Sequence, residues 1–379
     1  MGSNRNRATT TQAQIAARTD PEAIRIWLAR YADTLTTFQN YRKEAERLLL
    51  WALVELGKPL SSLTQEDLLR YQCFLANPHP PERWIMPTNH RAGRQDHRWR
   101  PFSGPLSPAS QRQAMIVLNT LFSWLVTAGY LVGNPLALSR RRTRLASPHV
   151  TRYLTNDLWA VVKATIESLP QGTCRDHAHY HRVRWLFSLL YLCGLRISEV
   201  AGGTMGQFLQ RINQDGREYW WLEVVGKGGK VRLVPVTDEL LEELVRYRQS
   251  RNLPSLPQPG EPTPLLLPIG RQCRPLTRAA VHLIVKTIFA RAAERLRATE
   301  PDRLEQAKRL ERASTHWLRH TAGSRMADGN LDLRHVRDNL GHATLGTTSR
   351  YLHTEDDVRH RETARRHHLS WDIDVDGNI

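Results

Sequence analysis

The stretch Thr315-His316-Trp317-Leu318-Arg319-His320, followed by Leu340-Gly341-His342 and then Tyr351, sets histidines, an arginine and a tyrosine in one short region near the C-terminus. His316 and Arg319 stand three apart, so on a helix they share a face. His342 follows a glycine at an expected helix end. An arginine clamps anionic oxygens well, a histidine moves or donates protons near neutral pH, and a tyrosine hydroxyl can act as a covalent nucleophile. Together they are the parts for attack on a phosphodiester without a metal. Taken alone, a His-x-x-Arg pair is ordinarily a surface pair and a lone tyrosine ordinarily core or rim. The set gains meaning only with a partner upstream.

That partner is Cys193-Gly194-Leu195-Arg196-Ile197-Ser198-Glu199-Val200. The pattern predicts a buried helix ending at Gly194 and a new one with Arg196 in its first turn, beside backbone N–H groups that favour anions. The plainer reading is an Arg196–Glu199 pair that merely caps a helix. Between the two regions, two strand-like runs, Glu218–Val225 and Val231–Val236, flank Gly226-Lys227-Gly228-Gly229-Lys230 and predict a hairpin; a shorter strand is expected at 208–212. The hairpin lacks the G-x-x-x-x-G-K-[ST] pattern and leads into no helix, which argues against a nucleotide loop. Cys174, His177, His179 and His181 hint at a metal site, but one cysteine and no second cluster favour solvated or DNA-facing histidines.

The chain has 379 residues, enough for two domains, with 54 Lys and Arg against 37 Asp and Glu, a formal charge of +17. Such an excess favours a polyanion, most simply nucleic acid. The alternatives are a merely basic protein or one meeting anionic lipid, but no apolar run approaches the ~20 residues a bilayer requires. The first residues are polar and show no secretory signal. Four scattered cysteines fit a reducing compartment rather than a disulfide framework.

Working outward along the chain, residues 1–19 read as a disordered basic leader. Asp20-Pro21-Glu22 starts a helix to about Tyr31. Further helices are expected at 37–56, from Thr64 to about Leu75 behind a capping box, and from Ser107-Pro108 to Gly129. These four make an all-α unit over 20–133, with 77–107, rich in Pro, His, Arg and Trp, as an insertion or basic loop. Residues 134–150, containing Arg140-Arg141-Arg142-Thr143-Arg144, form a basic linker, either solvated or tracking a phosphate backbone. A second unit over 151–371 is expected to carry helices at 155–168, 180–193, 238–250, 277–298, 316–328 and 332–340, with a shorter one around Tyr351. Residues 372–379 are a tail. The fold class is mainly α with a small antiparallel β-sheet.

In order and spacing across 150–355, these pieces resemble the tyrosine recombinases of the phage-integrase and Xer type. The carriers are Gly194-Leu195-Arg196-Ile197-Ser198-Glu199, the hairpin from Gly226 to Pro235, His316-x-x-Arg319-His320, Leu340-Gly341-His342 and Tyr351. The first unit resembles the family's SAM-like core-binding domain more weakly; 77–107 is longer than the corresponding loop in compact members. The resemblance implies an α+β catalytic domain that cleaves and rejoins DNA through a 3′-phosphotyrosyl intermediate on Tyr351. Arg196 and Arg319 would hold the non-bridging oxygens and Lys227 would protonate the departing 5′-oxygen, with Lys230 as its alternative. His316 would move the nucleophile's proton, His342 would hydrogen-bond the phosphate, and Glu199 would buttress the site. No cofactor, metal or ATP is required, because the phosphotyrosyl bond conserves the phosphodiester energy. The implied partners are double-stranded DNA, further copies in a tetramer on two sites, and a second recombinase or DNA-bending protein; the implied location is the cytoplasm, at the nucleoid. A type IB topoisomerase or telomere resolvase shares the chemistry, but chain length and motif spacing argue against both. A DNA-binding protein without catalysis is the non-enzymatic alternative, opposed by the complete set of reactive residues.

Overall fold

The computed structural model describes residues 6–8, 13–87, 92–138, 152–212, 216–270, 272–329, 331–342, 344 and 348. The chain divides into two compact units, 1–145 and 146–379.

In the first unit, α1 (Asp20–Ala29) opens on a capping box between Thr19 and Glu22, with proline in its first turn. It packs with α2 (Leu35–Glu55), α3 (Gln65–Ala76) and α5 (Pro108–Thr127) around Trp27, Leu48, Trp51, Leu118 and Phe122. Trp27 stacks on Tyr41 at 5.2 Å. Two expectations are corrected here. The leader is not wholly disordered: Asn6 and Gln14 pair their backbones with Val132 and Ala128, and Ile15 and Ala17 pack on the core. Arg7 lies 3.8 Å from the Tyr130 ring centroid, whose hydroxyl donates to Asp20 Oδ1 at 2.7 Å. A basic, polar segment is ordered because its backbone finds partners along the exit of α5. Likewise the described parts of the insertion, 77–87 and 92–107, are not all loop. A short helix, α4 (Pro81–Trp84), delivers Trp84 into the core, where it meets Phe74 edge-on at 5.1 Å and donates from Nε1 to Glu55 at 2.9 Å. Phe102 is buried beneath Arg47, which donates to the Pro101 carbonyl. Two large aromatics anchor the insertion and outweigh its charged composition.

In the second unit, α7 (Cys174–Leu192) and α10 (Arg278–Thr299) run through one core with α6 (Asn156–Glu167) and α9 (Asp238–Ser250) against them. Trp185, Leu186, Leu189 and Leu190 of α7 meet Val285, Ile288, Phe289 and Ala292 of α10 in that core. The helix α7 begins earlier than the expected 180. Thr173 caps it by accepting from Asp176 N–H at 3.1 Å, so cap chemistry extends it through a polar stretch with no apolar stripe. A further short helix, α11 (Leu304–Arg312), escaped the sequence reading because only Ala307 and Leu310 turn inward.

The strands β1 (Phe208–Ile212), β2 (Glu218–Val225) and β3 (Val231–Val236) form an antiparallel sheet in that order. Leu222 pairs with both Phe208 and Val234, and these three face the core. Pro235 is tolerated because β3 is an edge strand. After α9, α10 and α11 come α12 (Thr315–Asp328) and α13 (Leu333–Leu340); the short α8 (Ile197–Gly202) follows α7. Among the described residues, no helix is long and apolar enough to cross a membrane, and all four cysteines are unpaired.

Candidate active site

Arg319 lies in the first half of α12 and is only 2% exposed. Its Nη1 donates to the Gly194 carbonyl at 2.5 Å and its Nη2 donates to the Leu340 carbonyl. One carbonyl belongs to the exit from α7 and the other to the last turn of α13. A single guanidinium therefore draws together the segments that carry Arg196 and His342. The glycines permit the approach. Gly194 has φ +58°, and a Cβ there would stand 2.5 Å from Leu340 Cδ2. Gly341 has φ +61°, and a Cβ would stand 2.8 Å from Arg232 Cδ. Any other residue at either point would be both strained and in collision.

Arg196 occupies the N-cap position of α8. Its Nη1 donates to Glu199 Oε1 and its backbone N–H to Glu199 Oε2, each at 2.8 Å, while Nη2 reaches the Gly341 carbonyl at 3.3 Å. So the capping pair is real, and it also orients a guanidinium whose side chain is 34% exposed, toward the end of α13. The Glu199 carboxyl is held down at about 2; burial opposes that shift, and the hydrogen bonds and charges of Arg232 and Arg196 outweigh it.

The histidines gather around the same arginines. His316 and His320 cross edge-on at 4.2 Å between ring centroids, and His342 Nδ1 lies 3.0 Å from Thr348 Oγ1. Crowding by protein, then Arg319, Arg196 and Arg152, lowers the His316 pKa. Burial, then Arg319, Arg196, Arg232 and His316, lowers that of His342 to about 4. Burial, then His316, Arg319, His342 and Arg152, takes His320 to about 3. These imidazoles are neutral at pH 7, set among cations. Chemically, guanidiniums beside neutral imidazoles can bind an anion that brings its own negative charge and its own hydrogen-bond acceptors.

A stability prediction follows from the sign of these shifts. The unfolded histidines take up protons near 6.5, the folded His342 and His320 only near about 4 and about 3. Below 6.5 the unfolded chain therefore binds more protons, so stability is full above 6.5 and falls as pH drops through that window. Calorimetric melting between pH 4 and 8 is expected to show this decline. The His320→Gln, His342→Gln double variant should flatten it.

Of the residues anticipated from sequence, Arg196, His316, Arg319 and His342 are thus brought together. Lys227 lies in the tight turn joining β2 to β3. The preceding Gly226 abuts the cluster: a Cβ there would sit 3.7 Å from Glu199 Oε1. Lys230, the alternative lysine, is exposed at the other end of that turn. Tyr351 lies outside the described residues. Two contributors were not anticipated. Arg232 was quoted only as part of the hairpin, yet it grips both oxygens of Glu199 at 2.8 Å. His320 was read only as a motif letter. An arginine in an otherwise apolar edge strand was the available signal for the first. Among the described residues no group of three metal-ligating side chains occurs; His177 and His181 form only a pair, with Nε2 atoms 3.2 Å apart.

The pattern that defines the phage integrase family matches residues 162–357. A tyrosine recombinase XerC of Corynebacterium efficiens is 29% identical over 231 residues, covering 61% of this chain and 63% of that protein. A tyrosine recombinase XerC of Xylella fastidiosa is 26% identical over 322 residues, 84% of this chain and 86% of that one. In fold, the chain is similar to the XerH site-specific recombinase bound to palindromic difH substrate, with a TM-score of 0.61 and 18% identity over 94% of this chain and 90% of the other. With the family's pattern matched over more than half its length, the chain belongs to the phage integrase family of tyrosine-type site-specific DNA recombinases.

Proposed function

We propose that this protein exchanges strands between two specific DNA sites through a transient 3′-phosphotyrosyl bond on Tyr351. The observation that carries this reading is the double anchorage of Arg319, which draws together the segments carrying Arg196 and His342. There the scissile phosphate sits with its non-bridging oxygens toward Arg196 and Arg319, whose charge offsets that developing at the pentacoordinate phosphorus. The tyrosine oxygen bonds to phosphorus as the 5′-oxygen leaves. Lys227 protonates that leaving oxygen. His316, neutral near pH 7, is suited to take the nucleophile's proton, and His342 donates to a phosphate oxygen. Glu199 holds Arg196 in place and does not react. The first unit serves as a core-binding domain, and the basic run at 140–144, which lies outside the described residues, adds charge for phosphate. The overall charge of +17 makes affinity fall steeply with salt. Four copies assemble on two sites, with or without a second recombinase or a DNA-bending partner.

The test is a plasmid bearing two copies of a site that the protein itself selects from randomised duplexes. Sequenced recombinant junctions between the copies are expected. Relaxed topoisomers without exchanged flanks would instead make this a topoisomerase-like enzyme.

A further inference from the structure

Arg232 spends its whole guanidinium inside the protein. Nη1 and Nη2 donate to the two oxygens of Glu199, each at 2.8 Å, and Nε donates to the Asn339 carbonyl at 2.9 Å. Its side chain is 10% exposed and that of Glu199 3%. The partners lie 33 and 107 residues away in sequence, on α8 and on the last turn of α13. The same Glu199 oxygens accept from Arg196, and the residue after the next in α13's exit is Gly341, whose backbone rests against the Arg232 stem.

We infer that Arg232 is a positioning residue for strand cleavage, aiming Arg196 through Glu199 and His342 through the end of α13. The inference rests on the reading of the site given above. Glu199 has two oxygens and two arginines to serve. The end-on fork of Arg232, Nη1 and Nη2 each on one oxygen, fixes the plane of the carboxylate, and that plane sets the direction in which Arg196 leaves it. The Nε bond pins α13's last turn, which fixes where His342 emerges. A lysine supplies one nitrogen at the end of a flexible stem and cannot do both. Arg232 is also one of the charges that face His342, together with Arg196 before α8 and with Arg319 and His316 from α12. Its loss therefore changes the electrostatics of that imidazole as well as its position.

The full-length protein is compared with Arg232→Lys and Arg232→Met on a nicked suicide duplex carrying the selected site. Both variants are expected to form the covalent adduct about 10–100-fold more slowly, the range typical of lost outer-shell partners, with DNA affinity unchanged. In Arg232→Met, ¹⁵N NMR should show His342 titrating at higher pH than in wild type. Arg232→Lys, which keeps the charge, should leave that titration in place. A role in holding the fold alone predicts otherwise: slower cleavage in proportion to unfolded protein, with His342 titrating as before. That result, or wild-type rates in both variants, overturns the inference. If the wild type forms no adduct, the reading of the active site fails, and the NMR titration still decides Arg232: an unmoved His342 sinks it.

Discussion

Tyr351→Phe is expected to abolish the covalent protein–DNA adduct and to leave DNA binding unchanged. The substitution removes one oxygen and keeps the ring, so shape and charge in the ground state are preserved. What is lost is the only atom that can bond to phosphorus in the proposed step. Removing the nucleophile of a covalent enzyme costs on the order of 10⁶ in rate, which places the product below detection on a denaturing gel. The measurement is adduct formation on a nicked suicide substrate, beside a filter-binding titration of the same DNA. The expectation holds whether the tyrosine serves its own subunit or a neighbour. An adduct that survives in the variant would identify a different nucleophile, and the assignment of Tyr351 would be withdrawn.

Arg319→Ala is expected to damage rate and stability together, whereas Arg196→Ala should damage rate alone. Arg319 is buried and donates to two backbone carbonyls on separate elements. Its removal takes a donor from each, at about 1–3 kcal/mol per buried acceptor left unsatisfied, and lets the ends of α7 and α13 drift apart. It also removes a positive charge aimed at the transition state, about 10²–10³ in rate by analogy with a lost oxyanion donor. Arg196 is a third exposed, and Glu199 keeps Arg232 when Arg196 is gone. Truncation there should lower single-turnover cleavage by a similar factor with little change in melting temperature. Arg319→Lys should not rescue, since one ammonium cannot span two carbonyls. Cleavage rates and calorimetric melts of the three variants check the contrast. A stable, fully active Arg319→Ala protein would remove Arg319 from the site.

Much of this molecule was legible along the chain, because the forces that place its elements are local. Thr64 and Ser107 cap their helices where the pattern said they would, the first helix is capped by Thr19, one residue before the Asp20 expected to do so, and the alternation of apolar residues in 218–225 and 231–236 was enough to find the hairpin. The candidate set was legible for another reason: its motifs, from Gly194 to Tyr351, carry the resemblance to the family that the chain belongs to. Where local signals were weak, the sequence misled. The first turns of α7 have no apolar stripe, α11 shows two inward residues, and the leader and 77–107 look soluble by composition. Their order comes from backbone pairing with 128–133 and from Trp84 and Phe102 docking into a core built by other segments. Only the tertiary structure decided that Arg232 belongs with Glu199, or that Gly194, Leu340 and Arg319 close on one another. Such contacts join residues 21 to 145 positions apart, and no periodicity of helix or strand encodes a partner at that distance. Residue chemistry named the reaction, and packing chose which charges stand close enough to perform it.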